Sequence, residues 1–244
     1  MRIAALLMAA SAVWADPGAA VTVAGQAKQP QVAVDADGGV YVAMLREGNI
    51  EVSISTDRGK TFSAPSVAID AKGAAKGGMQ RGPRIAVDGK RGIYVTAPVA
   101  LGGTESDLWL TVSRDGGKTW SAPLRVNDAP GKAPECLHWL AVSADGDAHV
   151  AWIDSRPMGA GPNSLAYARV TGGTKAEKSQ QLAGPVCECC APGVSVDAKG
   201  NPLVIYREGG KKSEREIYAL ISTNEGKSFG KPVRINKGDS KVDG

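Results

Sequence analysis

One alternation of apolar and polar residues recurs four times along this chain. Each copy is apolar-x-apolar, then a turn rich in Asp and Gly, then a second apolar run: Val32 to Val42, Ile85 to Val95, Leu140 to Val150 and Val194 to Val204. Period-two alternation bounded by Asp/Gly turns predicts antiparallel strand pairs. The matched residues Val34, Val87, Val142 and Val196 lie 53, 55 and 54 residues apart. A repeat of that length, carried by short strands, predicts an all-β propeller of four-stranded antiparallel blades rather than a helical solenoid. In the first repeat the strands are expected at Pro30–Val34, Val40–Leu45, Ile50–Ser55 and Ser66–Ile69, and the blades at about 30–69, 83–127, 139–182 and 192–236.

A second motif keeps the same period. Ser55-Thr-Asp57-Arg-Gly59-Lys-Thr61-Phe62 and Ser113-Arg-Asp115-Gly-Gly117-Lys-Thr119-Trp120 are near copies, and Ser222-Thr-Asn224-Glu-Gly226-Lys-Ser228-Phe229 is a third. The degenerate Arg169-Val-Thr171-Gly-Gly173-Thr174 occupies the remaining place. Asp or Asn can bond nearby backbone amides, Gly supplies positive φ, the hydroxyl adds a local bond, and the aromatic ring buries its face against neighbouring strands. The motif is therefore expected to lock a turn, not to catalyse. In it the chain resembles the sialidase (neuraminidase) superfamily of BNR/Asp-box propellers, over nearly all of its length after the first residues. Asp-boxes occur in proteins of many activities, so the resemblance speaks first to fold.

The resemblance implies six blades, of which the sequence supplies about four. Residues 21–24 match the fourth strands of the later repeats and are expected to act as a closing strand for a last blade. The fourth repeat already has its own outer strand at Val233–Asn236. A C-terminally truncated chain is expected, with a true four-bladed ring as the alternative.

Met1-Arg2, the apolar run Ile3 to Ala12 and then Val13-Trp14-Ala15 read as a signal peptide over residues 1–15, which makes the protein secreted or periplasmic. The run is too short to span a bilayer, and no membrane insertion is expected. Without Arg2 there are 28 basic and 25 acidic residues, a net charge of about +3 that argues for no nucleic-acid partner.

Strand alternation places the turns after first strands and the Asp-boxes on one face. The loops between blades, and those after second strands, fall on the other, around the channel mouth. Cys136-Leu-His138-Trp139 enters the third blade there, and Cys187-Glu-Cys189-Cys190 the fourth. All four cysteines and one of the two histidines thus occupy equivalent loops of adjacent blades. Cys136, His138, Cys187, Cys189 and Cys190 can converge as metal ligands, with Glu188 a further donor; thiolate and imidazole suit zinc or copper(I). Two alternatives stand beside this: structural disulfides, which are usual for exported cysteines, or a redox-active thiol pair. His149, inside a strand between Ala148 and Val150, reads as core.

The same face carries Arg46-Glu47, Asp154-Ser-Arg156, Arg207-Glu208, Arg81 and Arg84. Clustered arginines can grip a carboxylate in bidentate fashion. The sialidase resemblance implies Arg46, Arg156 and Arg207 as substrate-binding residues and Asp154 as an acid. The chain departs from that pattern in two places: Lys28-Gln29-Pro30 stands where sialidases have Arg-Ile-Pro, and neither Tyr206 nor Tyr218 pairs with a glutamate as an activated nucleophile. Without a nucleophile the retaining chemistry has no first step. Three readings follow. They are an exported sialidase-like propeller with a copper or zinc site and no sialidase competence of its own, an exo-α-sialidase or other glycoside hydrolase acting on sialylated glycans, and a noncatalytic propeller that binds a glycan, a small anionic ligand or a protein.

Overall fold

A computed structural model describes residues 20–75, 77, 78, 81–100, 106–128, 137–155, 163–209 and 216–236; Cys136 and Arg156 lie outside them. The described residues form seventeen strands in four antiparallel sheets. The first sheet contains β1 (Lys28–Val34), β2 (Val40–Arg46), β3 (Asn49–Ser55) and β4 (Ser66–Ile69). The second contains β5 (Arg84–Val87), β6 (Ile93–Val99), β7 (Asp107–Ser113) and β8 (Leu124–Arg125). β9 (His138–Val142), β10 (Ala148–Asp154), β11 (Ser164–Thr171), β12 (Lys175–Ala176) and β13 (Gln180–Ala183) make the third. The fourth holds β14 (Gly193–Val196), β15 (Pro202–Arg207), β16 (Ile217–Ile221) and β17 (Val233–Arg234). No helix among the described residues is long and apolar enough to cross a membrane.

The first strands of successive sheets lie side by side, β1 by β5, β5 by β9 and β9 by β14, so the sheets fan out from a common axis as blades do. Each interval between blades is filled by its own apolar core. Val52 and Ile69 of the first sheet pack with Ile93 and Val95 of the second. Leu110 meets Val150 and Trp152 across the next interval, and Leu165 meets Val204 and Leu220 across the last. The middle second strands, β6 and β10, are consequently buried on both faces, whereas β15 alternates buried and exposed.

The boxes act as turn locks. In the first, the Ser55 hydroxyl donates to Asp57 at 2.7 Å, the Gly59 amide donates to Ser55 Oγ at 2.8 Å, and the Thr61 amide and hydroxyl donate to Asp57 at 2.9 and 2.7 Å. The second box repeats the set, and its Thr119 bonds pull the Asp115 carboxyl down to about 2. The aromatic residues then reach back one blade. Trp120 packs into the core shared with the first sheet and donates to Ser66 Oγ at 3.3 Å, and Phe229 meets Tyr167 edge-on at 4.9 Å.

Two local features differ from expectation. The degenerate box lacks the Ser and Asp of the others, and its glycines Gly172 and Gly173, at φ 56° and 71°, turn the chain tightly enough for β12 to pair back on β11 before β13 does. Residues 21–24 form no strand, because a strand needs a ladder partner and no described residue supplies one there.

Candidate functional site

The face opposite the boxes is assembled by main-chain bonds between loops. Beyond Arg207, Val186 pairs with Glu208 in an isolated bridge, and the Cys187 amide donates to the Arg207 carbonyl at 2.9 Å. The loop entering the fourth blade is thereby tied to the end of β15. In the third blade the Ile153 amide donates to the Leu137 carbonyl at 2.9 Å. Arg81, Leu137, Glu188 and Cys189, from the loops entering three successive blades, line one cleft of about 230 Å³ with Gly78.

At the base of this arrangement three sulfurs meet. Cys187 Sγ lies 3.3 Å from Cys189 Sγ and 3.2 Å from Cys190 Sγ, and Cys189 and Cys190 are 4.0 Å apart. None of the three is in a disulfide. Cys187 is buried, Cys190 half-buried and Cys189 exposed, so the group runs from the protein interior to solvent. The Cys190 amide, 3.5 Å from the Cys187 carbonyl, closes the turn that folds the sulfurs together. Arg207 places Nη1 3.5 Å from Cys190 Sγ, and that contact raises its own pKa. The Cys187 sulfur, with burial, pushes the Cys189 thiol up.

A tetrahedral zinc–thiolate site, with bonds of about 2.3 Å, spaces its sulfurs about 3.8 Å apart. The cluster matches that spacing at one edge and falls about 0.5 Å short at the other two. A disulfide needs about 2.05 Å, so even the shortest edge, 3.2 Å, would have to close by about 1.1 Å. The donor set fits a soft metal ion, and these are the described His, Cys, Asp and Glu side chains that come together for one.

The other expected site residues are distributed differently. His138 is buried in β9 outside the sulfur cluster, with Nε2 3.0 Å from Thr96 Oγ1. Glu188 lines the neighbouring cleft. Asp154 ends β10, buried. Arg46 is taken up within the first blade: its guanidinium pairs with Glu51 and Glu47 at 3.0 Å each and donates to the Gly25 carbonyl at 3.3 Å. Arg207 instead has Cys190 Sγ beside it, so the two arginines contact different partners. Arg84 is buried under the ring of Trp139, 4.9 Å from its centroid. Tyr206 and Tyr218 stack on each other at 5.8 Å, and burial pushes the Tyr206 phenol up, the opposite of activation. His149 is core as expected, buried with Nδ1 2.7 Å from the Tyr167 hydroxyl. The contact between Arg207 and Cys190 is new. Its one sequence signal is the spacing of Cys187 and Cys190, with two residues between them on a loop that pairs with the end of β15.

Known proteins bear on the architecture. The BNR/Asp-box repeat model matches residues 111–122, which include the second box. The Hadza microbial sialidase Hz136 superposes with a TM-score of 0.57 at 18% identity over 82% of this chain and 45% of that one. The fold is that of a sialidase-like Asp-box propeller. Penicillium chrysogenum α-L-arabinanase, solved with arabinobiose, gives a TM-score of 0.56 at 14% identity over 86% of this chain and 66% of its own. The Fusarium graminearum α-L-arabinofuranosidase Arb93A gives 0.56 at 15% identity over 88% and 67%. This propeller spans about half the length of the sialidase and about two thirds of the arabinanase and of the arabinofuranosidase. No curated protein sequence matches it.

Proposed function

We propose that this sialidase-like propeller is an exported metal-binding protein whose centre is the thiolate cluster of Cys187, Cys189 and Cys190, holding copper(I) or zinc. The observation that carries the reading is the approach of three sulfurs to within 4.0 Å of one another without a disulfide. Three thiolates on one turn concentrate negative charge, and the Arg207 guanidinium offsets part of it. Soft sulfur donors favour copper(I) and zinc over the hard cations that oxygen sites take. The bound ion would draw its ligands from the loop entering the fourth blade.

The reading includes that the chain is not a competent sialidase by itself. Arg46 is neutralised by Glu47 and Glu51, and Tyr206 stacks on Tyr218 with its phenol pushed up by burial. Elemental analysis of protein purified under reducing conditions tests the proposal. Near-stoichiometric copper or zinc, lost in a Cys189→Ser, Cys190→Ser double variant, is expected; metal-free protein with no titratable thiols would replace the site with disulfides.

A second reading has its own observation. A cleft of about 760 Å³ on the first blade is lined by Gln26, Lys28, Gln29, Glu47 and Leu45, a mixture of amide, charge and apolar surface suited to a glycan. Turnover of a fluorogenic sialoside that disappears in Asp154→Asn would favour a glycosidase, and glycan binding without turnover a noncatalytic module.

A further inference from the structure

We propose that Cys187 and Cys190 are also a redox-active dithiol that exchanges with disulfide substrates, Cys190 making the first attack and Cys187 resolving it. This goes beyond the metal reading while using two of its sulfurs, so ion and disulfide exclude each other there.

Three features of the loop assign the roles. The two sulfurs are 3.2 Å apart and unbonded, the shortest edge of the cluster, across a turn with only Glu188 and Cys189 between them. Their exposure is graded. Cys187 is buried and out of reach of an incoming disulfide, yet it touches both neighbours. It can therefore act only second, on a sulfur its own neighbour has already captured. Between the two neighbours, Cys190 lies nearer the buried sulfur, at 3.2 Å against 3.3 Å, and has the Arg207 guanidinium beside it, Nη1 at 3.5 Å. Ring size agrees. A Cys187–Cys190 bond closes over two residues, whereas Cys187–Cys189 closes over one and forces the disulfide further from its preferred dihedral and Cα spacing. The cleft beside Glu188 and Cys189, of about 230 Å³, gives a substrate an approach to the loop.

The exchange balances. Cys190, as thiolate, attacks one sulfur of a substrate disulfide; a mixed disulfide forms, the substrate S–S bond breaks and one substrate thiolate departs. Cys187 gives up its proton and attacks Cys190 Sγ. The Cys187–Cys190 bond forms and the second substrate thiolate leaves. Two electrons pass from protein to substrate, and the two protons released by the protein thiols convert the departing thiolates to thiols.

The full chain, reduced, stripped of metal and freed of reductant, is mixed with glutathione disulfide, and its disulfides are mapped by peptide mass spectrometry. The expected product is a Cys187–Cys190 bond. Cys187→Ser should stop at a glutathione adduct on Cys190, Cys190→Ser should lose the internal bond, and Cys189→Ser should keep it. A bond through Cys189 or Cys136, an adduct on Cys189 in Cys187→Ser, or unchanged thiols would overturn the proposal. The wild-type map decides even where a variant fails to fold. A parallel titration of the reduced protein with copper(I) separates the two readings. Metal uptake without exchange removes the dithiol activity alone, and exchange without uptake removes the metal site alone.

Discussion

Gly226, the box glycine of the fourth blade, sits against Tyr167 of the third so closely that a Cβ on it would overlap the phenolic oxygen. At the same box position in the second blade, a Cβ on Gly117 would come within 2.6 Å of Ile54 of the first blade, and one on Gly173 in the third within 2.8 Å of Tyr94 and Val112 of the second. A Cβ on Gly59, in the first blade, would meet nothing within 4 Å. The box glycine is thus a contact between blades as well as a turn residue.

The pair Gly59 and Gly226 isolates that second role, because their φ values are nearly equal, 84° and 83°. Gly59→Ala should cost about 1 kcal/mol, the strain of a left-handed alanine. Gly226→Ala carries the same strain and also displaces Tyr167 from its 2.7 Å bond to His149, so it should cost at least about 2 kcal/mol more. Equal losses in urea unfolding would contradict the packing role.

Burial lowers the His149 imidazole to about 4, and its Nε2 has no hydrogen-bond partner among the described residues. The unfolded chain takes up this proton near pH 6.5, and the folded protein only near 4. The neutral ring's contribution is therefore complete above pH 6.5 and is lost as pH falls from there towards 4. It reaches about 3 kcal/mol from this residue. His149→Phe, which does not titrate, should show a flatter stability profile across that window; parallel profiles would refute the assignment.

Arg169 ties the third blade to the fourth, with Asp147 at 3.0 Å from Nε and Glu225 at 3.1 Å from Nη1. Its side chain is 11% exposed, and losing it would leave the Asp147 carboxylate largely buried without its cation. Arg169→Ala should cost about 2–3 kcal/mol in urea unfolding. A loss below about 0.5 kcal/mol would place the network with ordinary surface pairs.

Arg207→Gln should leave the fold intact and weaken metal binding about 10-fold, as removal of a partner of a ligand does. Unchanged affinity in a competition titration would mean that the guanidinium does not tune Cys190.

The blades were legible because a sheet packed between neighbours writes its periodicity into the chain, as in Val40–Leu45 and Ile50–Ser55, which differ by one residue at an end from the observed strands. The boxes were legible because each bond in them is local. The site was legible only as a set of loops. Cys187, Cys189 and Cys190 are together because they are adjacent in sequence. That Arg207 turns to sulfur depends on the ladder between Val186 and Glu208, and that Arg46 is spent on Glu51 depends on cross-strand neighbours in β2 and β3. Residue type at a loop does not give side-chain direction, so the different partners of Arg46 and Arg207 were not legible.

X-ray absorption at the edge of the metal that co-purifies with the reduced protein tests the central claim most directly. The account predicts a first shell dominated by three sulfurs at about 2.3 Å, reduced in Cys190→Ser. A shell of nitrogen and oxygen alone would contradict it.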